Sequence, residues 1–115
     1  MSRPREATLP GPPHPGRILR DRVLPGLGLS VSRAARELRI ARQTLHRILA
    51  GTIGVTPEMA ARLSRLSGTT PMFWLNLQQQ HDLWRAEKDL SDELSLIPAH
   101  SLPTTIRAEI GLHGE

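Results

Sequence analysis

The chain has 115 residues, no cysteine and a formal net charge of +4. Its length suits one small domain with flanking segments, and the lack of cysteine excludes disulfide bonds and thiolate metal sites. No run of about 18 apolar residues predicts a transmembrane helix, and residues 1–16 lack the apolar stretch of a secretory signal. We therefore expect a cytoplasmic protein with no membrane partner.

The charge is distributed unevenly along the chain. Residues 1–67 carry 12 arginines and 4 acidic residues, a net of +8, whereas residues 68–115 carry 3 basic and 7 acidic residues, a net of −4. A basic segment favours a polyanion, because neutralising phosphates releases counterions. The distribution predicts two surfaces for two partners, the first of which is nucleic acid.

The N-terminal part predicts a proline-rich tail followed by a first helix. Residues 1–13 contain four prolines, which favour an extended or disordered segment. Proline is tolerated in the first turn of a helix, so we expect helix one to begin near Pro15, with His14 in a cap-like position. The Pro25-Gly26 pair predicts that this helix ends before residue 25.

The segment from Ser30 to Gly51 predicts two short amphipathic helices joined by a tight turn. Ser30 is a favourable N-cap for a helix that runs to about Leu38. The next helix runs from about Arg42 to Ala50, with Gly51 as its stop signal. Each helix has an apolar face at helical spacing, formed by Ala34, Ala35 and Leu38 in the first and by Leu45, Ile48 and Leu49 in the second.

Two further helices follow the same pattern of a threonine N-cap and a proline at the first helical position. Helix four begins at Thr56-Pro57 and ends at Gly68. Helix five begins at Thr70-Pro71, carries all the aromatic residues and ends near Lys88. No strand-like alternation precedes residue 90. The sequence predicts an all-α protein, a compact five-helix bundle with a helix-turn-helix and flexible N- and C-terminal tails.

We expect three segments along the chain. Residues 1–13 form the proline-rich tail, residues 14–88 form the DNA-binding and dimerisation domain, and residues 89–115 form a C-terminal tail. The last segment mixes apolar residues with prolines and glycines. Three alternatives stay open for it: a plain tail, a short added helix near Ile106, or a partner-binding strip that folds on contact.

The polar face of the second helix in the helix-turn-helix supplies the candidate DNA contacts. Arginine can donate two hydrogen bonds to guanine, and glutamine can both donate to and accept from adenine. Residues at the periphery of the motif are more suited to phosphate. The assigned base contacts are Arg42, Gln43, His46 and Arg47, and the assigned phosphate contacts are Thr44, Arg33 and Thr52.

Helix five supplies the candidate dimer contact. Aromatic residues are enriched in the buried centres of interfaces, although core packing is the alternative role for the same side chains. The assigned residues are Phe73, Trp74, Leu77 and Trp84.

Nothing in the sequence predicts a reaction. The five histidines are scattered without metal-ligand spacing, and no phosphate-binding glycine loop, nucleophile elbow or zinc motif is present. We therefore expect no catalytic residue, no metal and no cofactor, and predict that the protein is not an enzyme.

Three segments together resemble one family. They are HPGRILRDRVL at 14–24, IARQTLHRILAG at 40–51 and VTPEMAARLSRLSGTTPMFWLNLQQQHDLWRA at 55–86. They are similar to the opening, the recognition helix and the closing signature of HigA-type antitoxins, which belong to the phage-repressor-like (Xre) helix-turn-helix family. The chain differs from that pattern at Arg39, where glycine is frequent and φ is positive, and at Ala41, where a serine or threonine cap is frequent.

The resemblance implies an antitoxin of a type II toxin–antitoxin pair in the bacterial cytoplasm. Such a protein binds and neutralises a HigB-type mRNA-cleaving ribonuclease toxin and, as a homodimer, represses its own operon at palindromic operator DNA. Complementary charge makes the acidic residues of the second part candidates for the toxin contact, namely Asp82, Glu87, Asp89, Asp92 and Glu93. The alternatives are a stand-alone phage-type transcriptional repressor and an interaction module that no longer binds DNA.

Overall fold

The computed structural model describes residues 11–112, which form seven helices and no strand. Helix α1 has three continuous segments, α-helical over Pro15–Ile18, π-helical over Leu19–Val23 and α-helical over Leu24–Leu27. The other helices are α2 (Val31–Leu38), α3 (Arg42–Ala50), α4 (Pro57–Ser67), α5 (Pro71–Asp89), α6 (Ser91–Ser95) and α7 (Thr104–Glu109). Residues 1–10 of the expected N-terminal tail and residues 113–115 of the C-terminal tail lie outside the described residues.

The predicted all-α architecture with a helix-turn-helix is confirmed, but the predicted number of helices is wrong. Five helices match the expected elements, and α6 and α7 are added after α5. Neither added helix contains a buried residue. Their sequences therefore lack the spacing of core-facing apolar residues by which a helix is predicted. The helix α7 contains Ile106 and corresponds to one of the three alternatives for this segment.

The predicted starts of α2, α4 and α5 are confirmed by side-chain caps. The hydroxyl oxygens of Ser30, Thr56 and Thr70 each accept a hydrogen bond from a backbone N–H three residues further on, at 3.1–3.2 Å. Each bond satisfies one of the donors that a helix start leaves unpaired, which stabilises the helix by about 1 kcal/mol.

Helix α1 differs from the prediction at its end, because it continues through Pro25 to Leu27. The N–H of Leu24 donates to the carbonyl of Leu19 across the wider π turn. Pro25 therefore falls in the first turn of the last segment, where a missing N–H costs little. The helix ends at Gly28, whose φ of 67° lets the N–H of Leu29 donate to the Leu24 carbonyl at 3.0 Å.

The five helices α1, α2, α3, α4 and α5 contribute to one apolar core cluster. Burying a large apolar side chain contributes about 1.5–3 kcal/mol, so this cluster holds the helix-turn-helix against α4 and α5. No helix within residues 11–112 is long and apolar enough to cross a membrane. The buried apolar residues are Leu19, Leu24, Ala34, Ala35, Leu38, Leu45, Ile48, Leu49, Val55, Met59, Ala60, Leu63 and Trp74.

Candidate nucleic-acid interface

Helix α3 has one buried face and one exposed polar face, as the sequence predicts. Leu45, Ile48 and Leu49 are buried in the core. The exposed positions form two neighbouring i, i+4 pairs, one of Arg42 with His46 and one of Gln43 with Arg47. The helix contains no acidic residue, so its exposed face is a source of hydrogen-bond donors and positive charge.

The start of α3 carries no side-chain cap. Ala41 occupies the N-cap position and makes no side-chain hydrogen bond. The first N–H groups of α3 therefore donate to no capping side chain. Together with the positive end of the helix dipole, such N–H groups attract phosphate. The absence of the frequent serine or threonine cap is thus compatible with an anion contact at this position.

The turn between α2 and α3 holds the one non-glycine residue with positive φ among residues 11–112. Arg39 has φ of 62°, as its place in the turn predicts. The N–H of Ile40 donates to the Ala35 carbonyl at 3.0 Å and thereby closes the end of α2. This turn fixes the angle at which α3 leaves α2.

Arg62 of α4 braces the same turn, a role that no motif in the sequence predicts. Its guanidinium donates to the carbonyls of Leu38 at 2.7 Å and Arg39 at 3.3 Å, and to the Glu58 carboxylate at 3.1 Å. A cation at the last carbonyls of a helix is favourable, because it meets the negative end of the helix dipole. Because Arg62 lies 23 residues from Arg39 in sequence, no local sequence pattern predicts this contact.

Helix α1 crosses the end of α3 at close range. A side chain at Gly16 would overlap the Ile48 carbonyl, so the approach of the two backbones requires glycine. His14 caps α1 as the sequence predicts, because its Nδ1 accepts a hydrogen bond from the Gly16 N–H at 2.9 Å. The His14 ring also lies against Gly51, so the start of α1 supports the C-terminal end of α3.

The pKa of His14 lies below its ordinary value. Burial is the largest cause, and the nearby charge of His81 is the next. The two rings meet edge to face with centroids 5.2 Å apart. Since Nδ1 of His14 accepts a hydrogen bond, the neutral ring is the form that caps the helix.

The loop after α3 is fixed by a buried amide that the sequence analysis did not identify. Gln78 of α5 accepts a hydrogen bond from the Val55 N–H at 2.7 Å and donates to the Asp82 carboxylate at 3.0 Å. Its side chain faces Gly54, where a Cβ would come within 3.1 Å of the amide. A glutamine on a helix face looks like a solvated residue in sequence, and only the packing of α5 reveals its role.

The three candidate phosphate residues have different environments. Arg33 is exposed and its Nε donates to the Glu37 carboxylate at 2.7 Å. Thr44 is half-buried. Thr52 donates its hydroxyl to the Arg47 carbonyl at 3.1 Å and so completes the end of α3. A phosphate contact by Thr52 would require this hydrogen bond to break, because phosphate oxygens only accept.

The candidate dimer residues also differ from one another. Trp74 is fully buried and donates from Nε1 to the Thr69 hydroxyl at 2.7 Å, so we place it in the core and remove it from the interface set. Phe73 remains 40% exposed, against the edge of the Trp74 ring. Leu77 is partly buried against the core. Trp84 is partly covered within its own chain, because Gly11 lies on its ring and the Lys88 ammonium lies 4.8 Å from the ring centroid.

Residues 11–112 hold no group of three or more histidine or acidic side chains that could bind a metal ion. The polar side chains of α3 instead point outwards from a rigid support made by α1, α4 and α5. Such a helix can enter the major groove of DNA, where donors and acceptors on the base edges distinguish the four base pairs.

Known proteins similar to this chain also contain a helix-turn-helix. A family model described as a helix-turn-helix domain matches residues 16–72. The chain is 43% identical to the HTH-type transcriptional regulator YddM of Escherichia coli strain K12 over 76 residues, which cover 66% of this chain and 80% of that protein.

The similar solved structures include complexes with DNA. The antitoxin HigA of Pseudomonas aeruginosa with the higBA promoter matches with a TM-score of 0.74 and 33% identity, over 79% of this chain and 99% of that one. The antitoxin GraA in complex with its operator matches with a TM-score of 0.73 and 41% identity, over 80% of this chain and 93% of that one. The fold that presents α3 is thus shared with proteins solved on promoter and operator DNA.

Proposed function

The chain belongs to the helix-turn-helix family that includes HigA- and GraA-type antitoxins and HTH-type transcriptional regulators, and on this premise we propose that it is an antitoxin that represses its own operon. The resemblance found in the sequence and the prediction that the chain is not an enzyme are both confirmed by that family. The proposed partners are operator DNA, a second copy and a HigB-type ribonuclease toxin, in the bacterial cytoplasm.

The observation that carries the DNA part is the exposed face of α3. Arg42 and Gln43 lie in its first turn, where a recognition helix meets base edges, and His46 and Arg47 extend the same face by one turn. Each good bidentate contact between such a side chain and a base is worth about 1–3 kcal/mol of discrimination. Arg33 supports the same function as a phosphate contact, after its exposed ion pair with Glu37 rearranges.

A palindromic operator requires two copies of α3 about 34 Å apart, one turn of DNA. A two-fold dimer provides that spacing, and its contact surface is the same patch on both copies. We place part of this contact on α5, at the exposed and partly exposed side chains of Phe73, Leu77 and Trp84. Apolar residues of this kind bury well between copies.

The toxin part of the proposal is supported by the family and by the acidic second part of the chain. Asp82, Glu87 and Asp89 on α5 and Asp92 and Glu93 on α6 give that part the charge that suits a basic partner. The similarity to HTH-type transcriptional regulators favours the alternative, a stand-alone repressor without a toxin. Co-purification with the product of a neighbouring gene separates the two functions.

The DNA part is tested by binding of the purified protein to its own promoter. We expect the Arg42→Ala, Gln43→Ala variant to bind at least tenfold more weakly than the parent at the same salt concentration, because two base contacts are lost. Fluorescence anisotropy of labelled promoter DNA measures the affinity, and circular dichroism verifies that helix content is unchanged.

A matched variant controls for the loss of charge. Arg22→Ala, Gln80→Ala removes the same residue types from exposed positions of α1 and α5, outside α3. It should bind the promoter nearly as tightly as the parent and with a similar salt dependence. Equal affinities for the parent and the α3 variant would refute the assignment of base contacts to α3.

A further inference from the structure

The C-terminal strip, defined as residues 90–112, exposes eight large apolar side chains. Leu96 is 76% exposed and Ile97 is 63% exposed. Monomeric proteins rarely expose contiguous apolar patches, and such patches mark interaction sites. The other exposed apolar side chains include Leu90, Leu94, Leu102, Ile106, Ile110 and Leu112.

The two helices of the strip are too short to be stable by themselves. Helix α6 has five residues and α7 has six, and neither buries a residue. An isolated helix below about 12 residues is marginal in water, because the cost of nucleation is not repaid. Burial of these apolar side chains against another surface would supply the stability that the two short helices lack.

A surface of suitable chemistry lies on the same molecule, between α2 and α4. This α2–α4 groove has a volume of about 560 Å³ and an apolar floor formed by Leu38, Ala61 and Leu66. Its rim carries three arginines, Arg39, Arg62 and Arg65. The acidic lining residue, Glu37, already pairs with Arg33 at 2.7 Å.

The charges of the strip and the groove are complementary. The strip carries three carboxylates and one arginine, a net charge of −2. Within the described residues, Arg39 and Arg65 make no ion pair, whereas Arg62 is held by the end of α2 and by Glu58. An apolar floor with a basic rim matches an apolar strip that also carries acidic side chains, because opposite charges fix orientation while apolar contact provides affinity.

We propose that the C-terminal strip of one copy docks in the α2–α4 groove of a second copy. Each chain carries both halves of this contact, and the strip is exposed in the single chain. A reciprocal exchange buries two strips at once in a closed two-fold dimer. The inference rests on the dimer of the proposed function and assigns to it a second contact, separate from α5.

The chain contains no cysteine, so single cysteines can report the contact. Ala61 lines the groove, Ala108 lies on α7, and both are exposed. We expect Ala61→Cys and Ala108→Cys proteins that carry different tags to form a mixed product with a short bis-maleimide. The control replaces Ala61→Cys by Ala50→Cys, an exposed alanine at the end of α3 that does not line the groove, and should give little mixed product.

Self-association provides a second measurement. Ile106→Asp, Ile110→Asp should weaken dimerisation in sedimentation equilibrium by roughly a hundredfold or more, because two isoleucines are removed and each buried isoleucine contributes about a tenfold factor. Ala108→Asp adds charge to the same short helix without removing a large apolar side chain. It should weaken dimerisation far less.

Two outcomes would overturn the docking proposal: no mixed product, or equal dimerisation of the isoleucine variant and the parent. None of these readouts uses DNA. Intact operator binding alongside any of them refutes the docking alone, whereas failure of the parent protein to bind its promoter refutes the proposed DNA function.

Discussion

At the scale of single residues, His14 connects the protonation of one ring to the support of α3. The ring caps α1 through Nδ1, touches His81 edge to face and lies against Gly51 at the end of α3. Its neighbours include Asp82, which raises its pKa, and Arg85, which lowers it, but burial is the largest effect and lowers the pKa. Protonation would replace an acceptor by a donor at the position where the Gly16 N–H points.

We predict that the folded state loses stability when the pH falls below about 6.5, the ordinary pKa of histidine. Because the pKa is lower in the folded chain, the unfolded chain binds more protons in this range, and the free energy of unfolding falls with pH. The contribution of His14 is fully present above that pH and is lost below it. Urea unfolding at a series of pH values measures the effect.

Replacement of His14 isolates its contribution. His14→Asn keeps a side-chain oxygen that can accept from the helix N–H but does not titrate, so the fall in stability below pH 6.5 should become shallower. His46→Asn makes the same substitution at an exposed position of α3 and is the matched control. An unchanged pH profile in His14→Asn would show that another group causes the fall.

At the scale of elements, the turn between α2 and α3 combines a local strain with a distant brace. Arg39 adopts a left-handed conformation that costs a residue with a Cβ roughly 1 kcal/mol relative to glycine. Arg62 satisfies the carbonyls that the end of α2 leaves unpaired. The geometry of the motif is therefore set by α4 as well as by the turn itself.

We predict that Arg39→Gly raises the free energy of unfolding by up to about 1 kcal/mol, because glycine adopts this φ without strain. The same substitution at Arg36, inside α2, should lower it by about 1 kcal/mol. Urea unfolding followed by circular dichroism compares the two variants with the parent. Destabilisation by Arg39→Gly would mean that contacts of the arginine side chain outweigh the strain of its backbone.

The elements that the sequence predicted correctly are those defined by local signals. Ser30, Thr56 and Thr70 are N-caps, each of which accepts a hydrogen bond from the N–H three residues later. The apolar spacing of α3 identifies its buried face. The end of α1 was predicted wrongly because a π turn lets a proline remain inside a helix. Pro25 in sequence does not reveal the shift in hydrogen bonding that precedes it.

The parts of the site that sequence could not supply depend on contacts between distant residues. Arg62, Gln78 and Gly16 act on segments 23 or more residues away, and their own neighbours in sequence carry no motif for that role. The burial of Trp74 also depends on how α5 packs, since the same aromatic pattern suits a core or an interface. Side-chain identity limits the possible roles, and packing selects among them.

At the scale of the whole molecule, the charge divides the chain into a basic part and an acidic part. The exposed arginines of α3 lie in the basic part of the chain, whereas the acidic side chains of α5 and α6 lie in the second part. Electrostatic complementarity acts over short distances in physiological salt, with a screening length of about 8 Å. A change on the face of α3 should therefore have little direct effect on a partner bound to the acidic part.

We predict that Arg42→Ala, Arg47→Ala abolishes repression but still neutralises a cognate toxin. The variant loses two cations from the DNA-binding face and leaves every acidic residue of the second part in place. Growth of cells that co-express the variant and the product of a neighbouring toxin gene measures neutralisation, and a promoter fusion measures repression. The matched control, Asp89→Ala, Asp92→Ala, alters the acidic surface and should weaken neutralisation while repression persists.

The pair of variants distinguishes separate surfaces from a shared one. Two opposite patterns, repression lost in the first and neutralisation lost in the second, require that DNA and toxin contact different parts of the chain. If the α3 variant is folded and abundant but growth stops as it does without antitoxin, the basic face takes part in toxin binding, and charge alone does not assign the two partners. If no toxin gene adjoins this one and no ribonuclease co-purifies, repression by α3 remains as the function, and the acidic surface then contributes to self-association or solubility instead.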